Sequence, residues 1–361
     1  MKLVADSGLW STGPPVAAGP LVAVLEVSGA VLAWSIDESG PASITFTDLA
    51  RADWLWRVLG EPGHSALAAA VNERLPHDAQ TIDVNGVAVL PGSVDQLRRL
   101  ALGHWMRRWW PVSQRDGIAA LDGALVDAEI ALLTAAAQHF FADDTIDSDV
   151  AGLLAPHTAA LNAHVQGGDP RVVELVRAAS ELTDDVGIVL AEPAPTRRRD
   201  DYALAAGADR GQRAAGAIAR GTDSIRWAGV PPAVFDAAEN TIEWVVEAAT
   251  PVANVVVDVQ LSGDDSPSGI PVRLRSGLLS GAAVLDDRGQ ARFGLIDDQR
   301  QPVAESTAWN HDWEGTEVTV GADVDESPET RLRVRDFARA RLAAPAGDAY
   351  LAEILAAESD Y

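Results

Sequence analysis

Apolar and polar positions follow a period of two at both ends of the chain and a longer period in the middle. Leu21–Val27 and Ala30–Ile36 are apolar runs joined by the turn pair Ser28-Gly29, which predicts a hairpin. Ser43–Thr47 alternates as a half-buried strand does. Asp48 is placed to cap a short helix carrying Trp54, Trp56 and Leu59, and Ser65 to cap a second helix over Ser65–Leu75. Thr81–Leu90 contains Asn85-Gly86, the strongest short hairpin signal. Residues 1–92 are therefore expected to form a mixed α/β head.

From Ser93 the apolar spacing becomes helical. Ser93 and Gln96 form a capping-box pattern at the head of a helix over Ser93–Trp110, which Pro111 ends. Leu121–Phe141 reads as a long alanine-rich helix. Another starts at Asp147 or Ser148, kinks at Pro156 and stops at Gly167-Gly168. Pro170 opens a further helix towards Leu182. Residues 93–192 are expected to form a helical bundle. Residues 193–222, with Pro193 and Pro195, the charge block Arg197–Asp201 and scattered glycines, read as a linker. Beyond it, Thr241–Ala248, Val252–Leu261, Pro271–Arg275, Gly281–Leu285, Ala291–Ile296 and Thr316–Val320 are short strands at regular spacing, which predicts a C-terminal β-sandwich over 223–361, closed by a helix at Ala346–Ala357. The fold class is thus multidomain α+β.

The stretch Ala282–Phe293, AAVLDDRGQARF, resembles the strand–turn–strand of bacterial immunoglobulin-like and transthyretin-like sandwich modules, and Pro271–Arg275 is similar to the strand that precedes it there. The resemblance spans about residues 240–323. It implies a sandwich with a scaffold or docking role rather than a reaction.

Composition narrows the chemistry. The chain has 361 residues, which favours more than one domain, and is 47% hydrophobic, which marks it as globular. It has no cysteine, and Lys2 is its sole lysine. That excludes a cysteine nucleophile, thiolate-ligated metals, a P-loop lysine and an interior Schiff-base lysine. The arginine bias is that of a GC-rich bacterial coding sequence. Fifty-three acids against 28 bases give a formal net charge of -25, which repels phosphate backbones and anionic lipid, so neither nucleic acid nor membrane is expected as a partner. No basic stretch followed by an apolar run opens the chain, and the apolar runs are shorter than a membrane span, so a cytoplasmic protein is expected.

Catalytic motifs are sparse. Gly63-His64-Ser65 begins like a nucleophile elbow, but Leu67 stands where glycine is required. There is no His-Glu-x-x-His, no Gly-x-Gly-x-x-Gly and no Walker A motif. His157 and His164, seven apart, share a helical face, to which His139 on the neighbouring helix is a candidate third imidazole. Asp143, Asp144, Asp147 and Asp149 lie between two helices. With His139 they form a candidate site for magnesium or calcium, or else a solvated loop with Asp147 as a cap. Asp127 and Glu129 are either buried acid–base groups or the wet side of their helix.

The sharpest local feature is His104-Trp-Met-Arg-Arg-Trp-Trp-Pro111. Trp105 and Trp109, four apart, share a helical face, and with Arg107, Arg108 and Trp110 they form a candidate protein-binding group, the alternative being core packing. Trp309 and Trp313 flank His311 and are candidate ligand-binding residues of a glycan platform, or sandwich core. The leading expectation is a non-catalytic adaptor with protein partners and no cofactor. The alternatives are a metal-dependent hydrolase or lyase using the carboxylate cluster, and a glycan-binding module.

Overall fold

A computed structural model describes residues 1–361 except 14–15, 17–18, 39, 73–79, 142–149, 187–215, 250, 264 and 360–361, with the backbone alone at 139, 140, 167 and 184–186. The protein is mixed α+β, built on antiparallel sheets. It divides into two compact units: Met1–Trp109 with Leu121–Ala194 and Leu332–Tyr361, and Trp110–Ala120 with Pro195–Arg331.

The first unit opens with β1 (Lys2–Asp6), β2 (Leu9–Ser11), β3 (Val22–Val27), β4 (Ala30–Ser35) and β5 (Ser43–Phe46). There follow α1 (Leu55–Asn72), β6 (Thr81–Asp83), α2 (Asp95–Trp109), α3 (Gly123–Phe140), α4 (Val150–Leu154), α5 (Thr158–Gly167) and α6 (Pro170–Val186). The six strands form one sheet in the order β3-β4-β5-β2-β1-β6. The β3–β4 hairpin forms as its apolar pattern predicts, with Ala23, Leu25 and Val27 inward. Gly29 turns it at φ 71°, where a Cβ would collide with the carbonyl of Asp48. α2 packs on β3 and on α3, and α3 packs on α6.

Three local expectations give way to longer-range contacts. Asn85-Gly86 closes no hairpin: Thr81–Asp83 pairs instead with β1, and Val84 donates its N–H to Met1 O. Ser65 caps nothing, because α1 begins at Leu55. Gly60 (φ 72°, ψ 159°) bends it and Pro62 opens its second segment, so Ser65 lies inside the helix. The Ser93 hydroxyl donates to Leu90 O, and α2 starts at Asp95.

The second unit holds β7 (Ala217–Asp223), β8 (Ile242–Ala249), β9 (Val252–Val259), β10 (Pro271–Ser276), β11 (Leu279–Val284), β12 (Gln290–Gly294), α7 (Glu305–Trp309) and β13 (Glu317–Val320). One sheet has the order β12-β9-β8-β7 and the other β11-β10-β13. The alternation read from the sequence matches the burial: Ala253, Val255, Val257 and Val259 of β9 and Val272 and Leu274 of β10 are buried. β11 and β12 are the arms of one hairpin, closed by Asp286 N–H on Gln290 O at the turn and by the Ser280–Ile296 exchange at the far end. Between these points the arms part into different sheets, and the Phe293 ring lies over Gly281, where a Cβ would come within 2.6 Å of it. β7 occupies positions expected to be linker, and residues 193–215 lie outside the described part of the chain.

The excursion at 110–120 joins this second unit through a buried carboxylate, through Ala237 N–H on Val112 O and through Arg115 on the carbonyls of Glu239 and Asn240. Asp236 accepts from Ser113 Oγ at 2.6 Å, Gln114 N at 2.9 Å, Arg115 N at 3.4 Å and Ala238 N at 2.9 Å.

The chain ends with α8 (Pro328–Ala343) and α9 (Leu351–Ser359). Residues from Leu332 onward belong to the first unit, whereas the sequence predicts a single helix closing the sandwich. The reason is electrostatic as well as apolar. The Tyr350 hydroxyl donates to Arg99 O at 2.7 Å, and Arg99 pairs with Glu129. Glu129 and Glu353 accept the amides of Leu351 at 2.9 Å and Tyr350 at 2.8 Å, satisfying donors at the head of α9.

Candidate interaction surface

The α2 tryptophans expected to bind a partner are divided between packing and partial exposure. Trp105 is 2% exposed; its indole N–H donates to Pro20 O at 2.7 Å and its ring meets Phe337 edge-on. Trp110 is 7% exposed, donates to Ala119 O at 2.9 Å and belongs to the second unit. Neither presents a surface for docking, which corrects their reading as partner-binding residues. Arg107 pairs with Asp127 at 2.6 Å, and Arg108 stacks over the half-buried Trp109 at 4.2 Å. Within the cluster, Trp105 joins α2 to α8 and Arg107 joins α2 to α3.

The acids of α3 do the same. Asp127 and Glu129 are both buried. Asp127 pairs with His157 at 3.0 Å, and Asp122, the cap of α3, pairs with His164 at 2.7 Å. The two histidines share a face as their spacing requires, and the face is turned to α3. Burial pushes the Glu129 carboxyl above its ordinary range, against the pull of the Leu351 amide and Arg99. Burial, with Arg107 nearby, lowers His104. The candidate metal residues Asp143, Asp144, Asp147 and Asp149, and the His139 side chain, lie outside the described residues.

In the second unit, the loop after α7 gathers polar and aromatic groups. His311 Nε2 lies 2.9 Å from Ser276 Oγ, which is 2.8 Å from Thr316 Oγ1. Trp313 meets His311 edge-on at 4.7 Å and donates to Ala308 O at 3.0 Å. Trp309 is 54% exposed, whereas Trp313 is half-buried. Of the pair expected to form a platform, one indole is therefore presented and the other packed. Ser276 is fully buried, so its hydroxyl orients the imidazole rather than facing solvent.

The outer face of the β11-β10-β13 sheet is built differently. Residues opposite one another across a ladder share a face, so the registers set out its rows. One row is Ile296, Ser280, Arg275 and Glu317; the next is Ala282, Arg273 and Thr319; the last is Val284 and Pro271. Val284 is 58% exposed, Ile296 36%, and Leu278, in the turn between β10 and β11, 72%. Arg273 and Arg275 are exposed, and their side chains have no ion pair or hydrogen-bond partner among the described residues. Glu317, opposite Arg275, is engaged by Arg226, which also reaches Asp323 at 3.1 Å. The face thus offers two uncommitted guanidinium forks beside apolar side chains, a composition suited to contact with another chain. Strand alternation in Pro271–Ser276 is legible in the sequence and puts both arginines outward. Their freedom from acids is not, because it depends on where Glu317 and Asp323 fold.

No protein-family model, curated protein or solved structure matches this chain. Among the described residues no helix is long and apolar enough to cross a membrane.

Proposed function

We propose that this chain is a non-catalytic adaptor of a bacterial cytoplasmic assembly, with the second unit as its docking module. The observation that carries this reading is the outer face of the β11-β10-β13 sheet, where Val284, Ile296 and the turn residue Leu278 stand exposed around two unpaired arginines. Exposed apolar groups gathered around arginine mark a surface suited to contact with another chain. The likeness of residues 240–323 to immunoglobulin-like and transthyretin-like modules supports the same role, since such modules serve as scaffolds.

The test is affinity purification of the tagged full-length chain from its native host, followed by mass spectrometry. A stoichiometric partner that is lost when Val284 and Ile296 are both replaced by glutamate, in a variant with an unchanged melting curve, supports the reading. Recovery of the chain alone would overturn it. The exposed Trp309 at the end of α7 favours a second reading, a glycan-binding module. In that case sugars quench tryptophan fluorescence in the wild type and not in Trp309→Ala.

A further inference from the structure

We propose that the outer face of the β11-β10-β13 sheet takes an acidic, extended segment of a partner protein, its alternate carboxylates seated on Arg273 and Arg275. The proposal rests on the adaptor reading for its biological setting but not for its chemistry. Arg273 and Arg275 are two positions apart on one strand, so both forks project from the same face about 7 Å apart. An extended peptide has the same repeat, and carboxylates on its alternate residues meet both forks in register. Its remaining side chains on that face then lie against Val284, Ala282, Pro271 and Ile296, which the registers place around the arginines.

Charge decides the sign of the partner. This is a chain of net charge -25, and many of its described arginines are committed: Arg99, Arg107, Arg171, Arg177, Arg226, Arg292, Arg331, Arg333, Arg339 and Arg341 each pair with an acid. Two exposed forks left unpaired side by side in such a molecule form a local cationic site in an anionic field. A partner segment of the same acidic character as this chain's own surface is attracted to that face and repelled by the acidic surface around it, which gives register as well as attraction. A second copy docked with its arginines on the two-fold axis would set guanidinium against guanidinium, which disfavours that face-to-face contact. Strand addition at the β11 edge is limited to the few residues between the Ser280–Ile296 exchange and the turn at Asp286–Gln290, whereas both forks project from the sheet face, so recognition is by side chains on that face.

The experiment titrates the full-length protein into a fluorescein-labelled peptide of alternating glutamate and valine and reads anisotropy. An alternating lysine–valine peptide and a single-stranded oligodeoxynucleotide serve as comparisons. Saturable binding of the acidic peptide that weakens as salt rises is expected, with no binding of the basic peptide. Arg273→Glu and Arg275→Glu should each weaken it about tenfold or more, the scale of a lost charge-assisted hydrogen bond. Val284→Ser should weaken it at unchanged salt dependence, a readout that a purely ionic contact would not give. Absence of binding by the wild type, indifference to both charge reversals, or equal binding of the oligonucleotide would each overturn the proposal. The two readings separate in the native host. A partner retained equally by wild type and by Arg273→Glu/Arg275→Glu leaves the adaptor role standing and removes this site. Peptide binding with no partner recovered keeps the site and removes the adaptor role.

Discussion

Single residues in the first unit carry charge into places that water does not reach. Glu353 is fully buried and its carboxylate holds Arg341, itself buried, with a second contact at 2.7 Å; Arg341 also reaches Asp348 at 3.1 Å. Removing Glu353 leaves the buried Arg341 with Asp348 alone, so Glu353→Ala is expected to cost about 3 kcal/mol, read as a fall in the denaturant midpoint. Glu129 behaves differently. Its folded pKa lies above the unfolded value of 4.5, mainly through burial. The stability it contributes is complete below the unfolded pKa and is lost as pH rises through the folded one. Glu129→Gln keeps the shape and removes the titration. The variant's stability relative to wild type is therefore expected to improve as pH rises from about 4 to 7. A constant difference across that range in parallel chemical melts would refute the shift. The same burial that raises Glu129 makes it a poor candidate for chemistry on a substrate, since its oxygens are occupied by Arg99 and the Leu351 amide.

Elements are held by a few polar anchors in addition to apolar packing. The excursion 110–120 has a short bridge of its own, Ser113 with Ile118, and is fastened by three donors, Ser113 Oγ, Gln114 N and Arg115 N, that converge on Asp236. Asp236→Ala leaves buried amide hydrogens without acceptors. A loss of about 3 kcal/mol or more is expected, with faster hydrogen exchange at Gln114 and Ala238 than elsewhere in the unit. Unchanged exchange at those two amides would show that the carboxylate is not the anchor. At this scale most strands and helices are legible in the sequence. β8 to β13 fall within two or three residues of the alternating runs, because period-two burial is a local property. Asn85-Gly86 misleads because β1 offers the neighbouring strand a better partner. Ser65 misleads because Gly60 and Pro62 place the bend upstream of it. α8 goes unread, although Ser327-Pro328 is a helix start followed by apolar Val334, Phe337 and Ala338 at helical spacing.

Across the whole molecule, chain order and unit membership part company. The first unit takes its last pieces from the C-terminal end, and the second takes an insert from between α2 and α3. Calorimetry should resolve this. Glu353→Ala is expected to lower a transition belonging to the first unit, and Asp236→Ala one belonging to the second, each leaving the other in place. Equal shifts of a single transition would show that the units melt as one.

The sequence by itself determined the α+β class, most element positions, the exclusion of cysteine and lysine chemistry, and the outward alternation of Arg273 and Arg275. These follow from residue identity and short-range periodicity. Only the tertiary structure decided that Trp105 and Trp110 are packed while Trp309 is presented, that α9 belongs with α2 and α3, and that two arginines on one sheet remain without acids. Each of these depends on which distant residue arrives as a neighbour. Burial and charge pairing are properties of that meeting, and no local pattern along the chain encodes it.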